Sequence, residues 1–554
     1  MKKVNPLKRL VDLVLMDKHE VVSIYFYAIL SGFVQLSVPL GVQAIISFVL
    51  GASMVTSIYV LIFIIVLGVV LSGVLQINQM KLIEKIQQKI FTRYAFQFAD
   101  TIPQIDLLKA NKYYLPEKVS RFFDTISIQK GISKILLDIP LASIQIILGL
   151  VLLVFYHPVF IVFGILLLVT LYVILKLTEK KGYTTSMQES QSKYEVVAWY
   201  GEMGRILKSF KLRHGTNFNM KRTDDNVLGY LSARTEHFKV LLFQYRALVV
   251  LKVMITTTML IVGTYLLIIQ VLNIGEFIAA EIVILMIIGA VEKLISNIDS
   301  IYDVIVGLEK LASVGELSKE NNGKIKYAST GNGISIEMVD FEFGYTSEAS
   351  FFENIDLIIP SNSNVCIVGE EGVGKTTLLN ILASNYSGNT KGLMFNNILR
   401  DNYELESLRK KTGLYLNNSE LFEGTLIDNI TLGREDVMPS LIIDLAKEIG
   451  FQNFLRTFSS GFETMIDPEG KKLSRTVVQK ILLLRSLINQ SDLILLDDPF
   501  LGFSEQLQKK ILSYIVNNLS KSTVVLVSDN VEIQNVCDYV LKIENGDFKM
   551  IKNS

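Results

Sequence analysis

The stretch that decides the fold of the second half of this chain is residues 365–376, VCIVGEEGVGKT. Its first four residues are apolar and predict a buried strand, and a helical pattern follows over residues 377–383. Between them the spacing is G-x-x-x-x-G-K-T, which ends in Gly374, Lys375 and Thr376. A loop of this spacing between a strand and a helix is typical of a site for nucleotide phosphates.

Each residue type in this loop has a chemical role. Because they lack a side chain, Gly369, Gly372 and Gly374 allow backbone amides to approach phosphate oxygens. Lys375 reaches the β- and γ-phosphates, and the hydroxyl of Thr376 ligates Mg²⁺. Thr377, the first residue of the helical run, is a further candidate for nucleotide binding. The sequence therefore predicts a nucleotide with Mg²⁺ as the bound group.

A second apolar run, residues 493–496, ends in Asp497 and Asp498. A buried strand that delivers an aspartate to the metal is the usual companion of this phosphate-binding loop. Asp497 is the candidate for the metal, and Asp498 is the candidate for orienting or deprotonating the attacking water. The alternative is a buried strand with solvated acidic ends, which the presence of the loop disfavours.

The composition of the chain points to a membrane. Of 554 residues, 50% are hydrophobic and 19% are charged, against about 25% charged in soluble domains. The 54 basic and 54 acidic residues cancel, but residues 1–320 hold 32 basic against 24 acidic, and the remainder holds 22 against 30. This composition excludes a disordered chain and indicates two parts with different chemistry.

Apolar runs long enough to cross a bilayer, which needs about 20 residues, predict six transmembrane helices. They cover residues 21–46, 55–78, 134–156, 158–178, 238–271 and 276–299. The connections after the first, third and fifth runs are short and lack Lys and Arg, whereas the long connections 79–133 and 179–237 are basic. The positive-inside rule places the basic connections in the cytoplasm, so the positive charge reflects topology and no nucleic-acid partner is expected.

Two features of this membrane half have alternative interpretations. The long cytoplasmic connections are either helices that extend the spans as stalks or loose basic loops. In the sixth run, Glu276 is expected at the interface, whereas Glu281 either lines a substrate path or has no such role, because an intramembrane carboxylate usually faces a bundle interior.

These patterns define the expected domains. Residues 1–310 form an all-α transmembrane domain of six helices, residues 311–333 a linker, and residues 334–554 an α/β P-loop nucleotide-binding domain. The two cysteines, Cys366 and Cys537, are too few for a disulfide framework or a cysteine-based metal site. The last of the four histidines is His237, so chemistry in the second half proceeds without imidazole.

Six spans followed by a P-loop domain resemble a half-size ABC (ATP-binding cassette) exporter, and the membrane half is most similar to the bacterial haemolysin- and peptide-exporter branch. Besides the P-loop, three stretches carry the resemblance. They are residues 406–410 (ESLRK), residues 421–430 (LFEGTLIDNI) and Leu473-Ser474 with the helix behind them.

The resemblance implies how the chain works. Two cassettes dimerise head to tail, and each ATP lies between the P-loop of one and the signature segment, here with Ser474, of the other. Segments around 107–122 and 211–221 supply the coupling contacts between cassette and membrane helices. Phe343 stacks on the adenine, with Tyr345 as the alternative. The chain is then a multi-pass protein of the cytoplasmic (inner) membrane with its cassette in the cytoplasm.

The chain departs from the family pattern at several positions. The signature LSGGQ is replaced by LSRTV at 473–477, and the glutamine after the P-loop is Asn417. The catalytic glutamate is replaced by Asp498, which retracts the carboxylate, and a misplacement of about 1 Å can lower a rate about a hundredfold. The switch histidine of the family is replaced by Asp529. An ionised carboxylate cannot donate a hydrogen bond to a γ-phosphate.

These departures predict a cassette that binds ATP with Mg²⁺ but hydrolyses it slowly at its own site. The exporter subunit would work as a heterodimer with a more complete cassette or as a homodimer with two slow sites, with a periplasmic adaptor as a further possible partner. The sequence does not identify the exported substrate, because exporters of lipids, drugs and peptides share this layout; a peptide or protein is one candidate. The alternative function is a non-transporting membrane subunit that uses ATP as a regulatory or scaffolding ligand.

Overall fold

The computed structural model describes residues 6–51, 55–110, 115–212, 215–346, 349–386, 391–544 and 546–553. The chain divides into two compact units. Unit 1 comprises Met1–Pro103 and Tyr114–Leu317, and unit 2 comprises Gln104–Tyr113 and Ser318–Ser554. Unit 1 is helical in its described residues, and unit 2 combines helices with sheets, so the predicted order of an α-helical region and an α/β domain is confirmed.

The first twelve helices follow each other with short connections. They are α1 (Pro6–Met16), α2 (Lys18–Gln35), α3 (Ser37–Leu50), α4 (Val55–Thr101), α5 (Leu107–Ala110), α6 (Leu115–Ser120), α7 (Asp124–Tyr156), α8 (Phe160–Arg205), α9 (Leu207–Lys211), α10 (Phe218–Ile268), α11 (Ile274–Ser296) and α12 (Ile298–Gly315). All belong to unit 1 except α5, which belongs to unit 2.

Six stretches of the described residues are long and apolar enough to cross a membrane, as predicted. They are Lys18–Leu50, Thr56–Gln104, Leu115–Tyr156, Phe160–Arg205, Phe218–Ile268 and Ile274–Gly315. Helices α4, α8 and α10 contain 47, 46 and 51 residues, more than twice the length a bilayer needs. The long connections are therefore largely helical extensions of the spans, and the alternative of loose loops is wrong for these stretches.

Parts of three predicted segments lie outside the described residues. They are residues 52–54 in the first short connection, and residues 111–114 and 213–214 in the two expected coupling segments. Glu276 lies in the first turn of α11 and forms a reciprocal cap with Asn273. Its carboxylate accepts from the backbone amide of Asn273 at 2.9 Å, and its own backbone amide donates to the Asn273 side chain at 2.8 Å. Glu281 is half-buried one turn further along the same helix.

Unit 2 contains the strands. They are β1 (Ile336–Phe343), β2 (Phe352–Ile359), β3 (Asn364–Val368), β4 (Lys391–Phe395), β5 (Ile398–Leu399), β6 (Thr412–Tyr415), β7 (Gly424–Thr425), β8 (Met465–Ile466), β9 (Leu493–Asp497), β10 (Thr523–Val527), β11 (Tyr539–Glu544) and β12 (Asp547–Lys552). Its later helices are α13 (Lys375–Leu382), α14 (Leu405–Arg409), α15 (Leu426–Thr431), α16 (Pro439–Glu448), α17 (Gln452–Leu455), α18 (Arg475–Leu487), α19 (Glu505–Asn518) and α20 (Val531–Val536).

The central sheet of unit 2 has the strand order β12-β11-β3-β10-β9-β6 in the described residues. Strand β10 pairs in parallel with β3 on one side and with β9 on the other, and Val527 lies opposite both Ile367 and Asp497. All five residues of β9 and of β10 are buried, because helices cover both faces of a parallel sheet. A second, antiparallel sheet has the order β2-β1-β4-β5.

The boundary between the two units differs from the expected linker at 311–333. Helix α12 continues to Gly315, and unit 2 begins at Ser318. The stretch after it packs on unit 2, because the hydroxyl of Tyr327 donates to Asp492 at 2.7 Å and Glu320 pairs with Arg409 at 2.7 Å. Within unit 2, Leu108 of α5 is likewise buried in the same hydrophobic core as Tyr327.

A buried asparagine positions the helix that follows the signature segment. Asn429 is fully buried on α15, and its side chain accepts from the amide of Phe422 at 3.1 Å and donates to the Phe422 carbonyl at 2.9 Å. Arg485 of α18 donates to the Asn429 carbonyl at 2.7 Å. Burial lowers the pKa of Arg485 to about 10.

We predict that Asn429→Ala destabilises unit 2, because it removes the hydrogen bonds that the fully buried Asn429 side chain makes with the partly buried amide and carbonyl of Phe422. Each such hydrogen bond contributes about 0.5–1.5 kcal/mol. Thermal unfolding of the purified full chain measures the effect. The control is Asn517→Ala, whose side chain donates to Ser513 at an exposed position and whose loss is expected to change stability by less than about 0.5 kcal/mol. Equal midpoints for the two variants would contradict the prediction.

Candidate nucleotide-binding site

The phosphate-binding loop connects β3, which ends at Val368, to α13, which begins at Lys375. Gly372 and Gly374 have φ angles of 85° and 100°, in the left-handed region that favours glycine. A Cβ atom at Gly374 would lie 2.5 Å from a ring carbon of Phe351 and 2.7 Å from one of Phe352. The backbone shape and the packing of the loop therefore both require glycine at position 374.

Lys375 is held by the loop itself and by a carboxylate. Its ammonium group donates to the carbonyl of Gly369, lies 3.4 Å from that of Glu370, and lies 3.7 Å from a carboxylate oxygen of Asp529. The side chain of Lys375 is 15% exposed, whereas that of Asp529 is 77% exposed. Lys375, the cation that the sequence assigns to the phosphates, thus forms an ion pair with Asp529.

Thr376 and Asp497, the two predicted metal ligands, are brought together. The Thr376 hydroxyl donates to Asp497 Oδ2 at 2.9 Å. Burial raises the pKa of Asp497, and the hydrogen bond from Thr376 and the charge of Lys375 oppose that rise. Hydroxyl and carboxylate oxygens are the ligands that Mg²⁺ prefers, so this donor set fits Mg²⁺ bound between the loop and β9. There it would neutralise phosphate charge.

Asp498 follows β9 directly and has a φ angle of 49°, which turns the chain sharply after the strand. Burial raises the pKa of this carboxyl group, and the negative charges of Asp497 and Asp529 raise it further. Asp529 is thus close enough to act electrostatically on the candidate for positioning water. The three carboxylates lie at one edge of the sheet together with one lysine.

Asn417 lies beside them and is fixed from two directions. Its amide donates to the Asp497 carbonyl at 2.9 Å, and its oxygen accepts from the hydroxyl of Tyr415 at 3.1 Å. The sequence analysis missed Tyr415, whose pKa is raised by burial and by the neighbouring Asp498 and Asp497. The pattern that could have found it is its position at the end of β6, two residues before Asn417.

The expectation for the adenine-stacking ring needs correction. Phe343 is fully buried in the hydrophobic core of unit 2 and presents no face to a ligand. The alternative ring, Tyr345, is 41% exposed, and its hydroxyl lies 2.6 Å from that of Thr377 at the start of α13. Tyr345 is therefore an exposed ring beside the phosphate-binding loop, as is Phe351, which is 40% exposed.

Ser474 lies at the N-terminus of α18, and its hydroxyl accepts weakly from the Val477 amide at 3.4 Å. Ser474 and Arg475 are both exposed. Among the described residues, no hydrogen bond joins Ser474 to the phosphate-binding loop of its own chain. The remaining candidates, Lys375, Thr376 and Asp497, meet at one edge of the sheet.

The ABC transporter family model matches residues 352–501, from β2 to the residues after β9. The lactococcin-G-processing and transport ATP-binding protein LagD of Lactococcus lactis is 25% identical over 241 residues, 43% of this chain and 34% of that protein. An ATP-dependent lipid A-core flippase of Photobacterium profundum is 24% identical over 231 residues, 42% of this chain and 39% of the flippase. The chain thus spans less than half the length of these curated relatives.

A solved structure extends the similarity to both units. A bacterial Atm1-family ABC exporter with ATP bound superposes with a TM-score of 0.85 at 16% sequence identity, over 97% of this chain and 95% of that chain. An identity this low supports the fold alone. Residues 352–501 therefore form an ABC transporter domain, which implies ATP binding, and the chain has the fold of an ABC exporter.

Proposed function

We propose that this chain is one half of an ATP-dependent exporter and that its own cassette binds ATP with Mg²⁺ but hydrolyses ATP slowly. The proposal rests on the difference between the metal-binding residues and the residue beside Lys375 at one edge of the central sheet. The Thr376–Asp497 pair for the metal is intact at 2.9 Å, whereas Asp529 lies 3.7 Å from Lys375 in the place where the family has a hydrogen-bond donor to phosphate.

Binding is supported by the loop geometry. The left-handed glycines, the ammonium of Lys375 and the start of α13 together supply backbone amides and positive charge for phosphates. We propose that Tyr345 stacks on the base, because its ring is 41% exposed and its hydroxyl lies 2.6 Å from that of Thr377. Because Asp529 pairs with Lys375, an incoming γ-phosphate must displace the Asp529 carboxylate from the ammonium group. Mg²⁺ supplies part of the positive charge that the phosphate then needs.

Slow hydrolysis is supported by three substitutions that act on the γ-phosphate or on water. Asp498 is one methylene shorter than glutamate, so its carboxylate lies further from a water in line with the phosphate. Asp529 is an acceptor where a donor is needed, and it adds negative charge to the region in which charge develops. Arg475, at the first position of α18, places a bulky side chain where glycine would let amides approach a partner's nucleotide.

We further propose that the exporter is a dimer of half-transporters in the cytoplasmic membrane. A heterodimer with a more complete cassette fits best, because one slow site is tolerated when the second site hydrolyses ATP at a normal rate. A homodimer with two slow sites is the alternative arrangement, and a periplasmic adaptor is a further partner of either form. The substrate that we propose is a peptide or protein, in line with the transport that the name of LagD describes.

Hydrolysis by the full chain, reconstituted alone in lipid, tests the slow site. We expect Asp498→Glu combined with Asp529→His to raise ATP turnover by at least about tenfold, because both changes restore groups whose misplacement costs about that much or more. Lys375→Ala in the same background is expected to abolish the gain and excludes a contaminating ATPase. Wild-type turnover equal to that of the double variant would assign the slow rate to the signature segment at Arg475 instead. Wild-type turnover comparable to that of an ordinary exporter, and abolished by Lys375→Ala, would refute slow hydrolysis.

Nucleotide affinity tests the binding half of the proposal. We predict that Gly374→Ala weakens ATP binding at least about tenfold, because a Cβ atom there collides with Phe351 and Phe352 and the left-handed conformation costs about 1–2 kcal/mol. The control is Gly433→Ala, which has the same left-handed strain at a φ of 77° but open space around the new atom. Equal loss of ATP affinity in both variants would show that the loop is not the binding site.

The oligomeric state tests the partner. We expect affinity purification of the tagged full chain from its native membrane in mild detergent to return a second cassette-bearing chain in equal amount. An untagged copy of this chain expressed alongside serves as the control for homodimers. Recovery of that copy, with no other cassette-bearing chain, would establish the homodimer and contradict the heterodimer.

A further inference from the structure

Unit 1 contains a cavity of about 790 Å³ between α6, α8 and α12. Its volume falls within the range of small-molecule sites, about 300–1,000 Å³. The residues that matter here are Glu117, Arg121, Tyr183, Tyr194, Lys310 and Ser313. They belong to the segments 79–133 and 179–237 and to the end of α12, which the charge pattern places on the cytoplasmic side.

Lys310 distinguishes this cavity from an ordinary surface groove. It lines the cavity although only 6% of the residue is exposed. Within the described residues it forms no ion pair, and its ammonium group lies 5.1 Å from the centre of the Tyr194 ring. Burying a cation without a counter-charge is unfavourable, so the fold places a charge here that a ligand can neutralise.

Among the described residues around the cavity, the arginine and three of the glutamates are paired, whereas Glu195 accepts only from the Gln191 side chain at 3.4 Å. Arg121 donates to Glu117 at 2.8 Å and to Ser313 at 2.8 Å. Glu309 and Glu316 lie 3.5 and 2.5 Å from Arg9. Asp124 attracts Lys310 from further away, but its carboxylate lies 3.6 Å from Lys193.

We propose that this cavity binds a short peptide, with the terminal carboxylate paired to Lys310 and an apolar side chain on Tyr194. A single carboxylate matches the ammonium of Lys310, whereas a phosphate dianion would bring a second negative charge to a cavity also lined by Glu117, Glu195 and Glu309. A lipid tail would need apolar walls, but most of the lining side chains are polar. The inference that the peptide is an exported substrate rests on the proposed function. The inference that the cavity binds a peptide does not depend on it.

Equilibrium binding to the nucleotide-free full chain in lipid nanodiscs tests the site. The probes are an N-acetylated apolar tetrapeptide with a free carboxylate and the same peptide as its amide, so that the carboxylate is the only charge that differs. We expect the acid to bind at least about tenfold more tightly than the amide, and Lys310→Met to remove that difference. Lys310→Arg, which keeps the charge, is expected to preserve it.

Lys480→Met is the matched control. The ammonium of Lys480 also lies over an aromatic ring, 5.4 Å from the centre of the Phe451 ring, but Lys480 belongs to unit 2 and is not part of the cavity wall. We expect this variant to bind the acid as the wild type does. Equal binding of acid and amide, no binding of either, or preference for a phosphoserine-bearing amide would overturn the proposal.

Uptake of the same peptide into inverted vesicles distinguishes the proposed export function from the proposed binding site at Lys310. Binding that depends on Lys310 without ATP-driven uptake would refute export of this substrate and leave the site in place. Uptake that is unchanged in Lys310→Met would refute the site and leave export in place.

Discussion

The parallel pairing of β3, β10 and β9 is the constraint on which the nucleotide site depends. The carboxyl ends of these strands meet at one edge of the sheet, so the phosphate-binding loop, Asp497 and Asp529 come together from segments more than 30 residues apart in sequence. Val527 pairs with both Ile367 and Asp497, and a slip of one residue would turn every buried side chain of β10 to the opposite face. The free energy of burying this strand therefore fixes the position of Asp529 beside Lys375.

This arrangement has an electrostatic consequence. Three carboxylates, Asp497, Asp498 and Asp529, face one lysine before any phosphate arrives, and burial already raises the pKa of the first two. A nucleotide adds further negative charge, so the backbone amides of the loop and a bound Mg²⁺ must compensate for it. Metal and nucleotide binding are therefore expected to be strongly coupled at this site. A phosphate that binds Lys375 must also displace the carboxylate of Asp529, which lies 3.7 Å from the ammonium group.

Local patterns were sufficient to predict the phosphate-binding loop, Thr376 with Asp497, and the six apolar spans, because each depends on spacing along the chain. Phe343 was assigned to the adenine from the family resemblance alone, and the resemblance could not show that this ring is fully buried in the hydrophobic core of unit 2. The pair of Lys375 and Asp529 was not predicted because it depends on strand order. The linker was misplaced because Tyr327 and Glu320 pack through contacts that no local composition reveals.

Polar contacts complete the packing of the long helices in unit 1. His237 of α10 lies 2.9 Å from Thr185 of α8 and 3.1 Å from Asp299 of α12, and Gln244 donates to Thr178 at 2.7 Å. Apolar surfaces of such long helices can slide by a turn with little loss of burial, but these buried contacts form in one register only. Because α8 and α12 also wall the cavity at Lys310, the register that His237 fixes determines where Tyr194 and Lys310 face each other. The sparse polar groups of an apolar unit thus define the geometry of the cavity at Lys310.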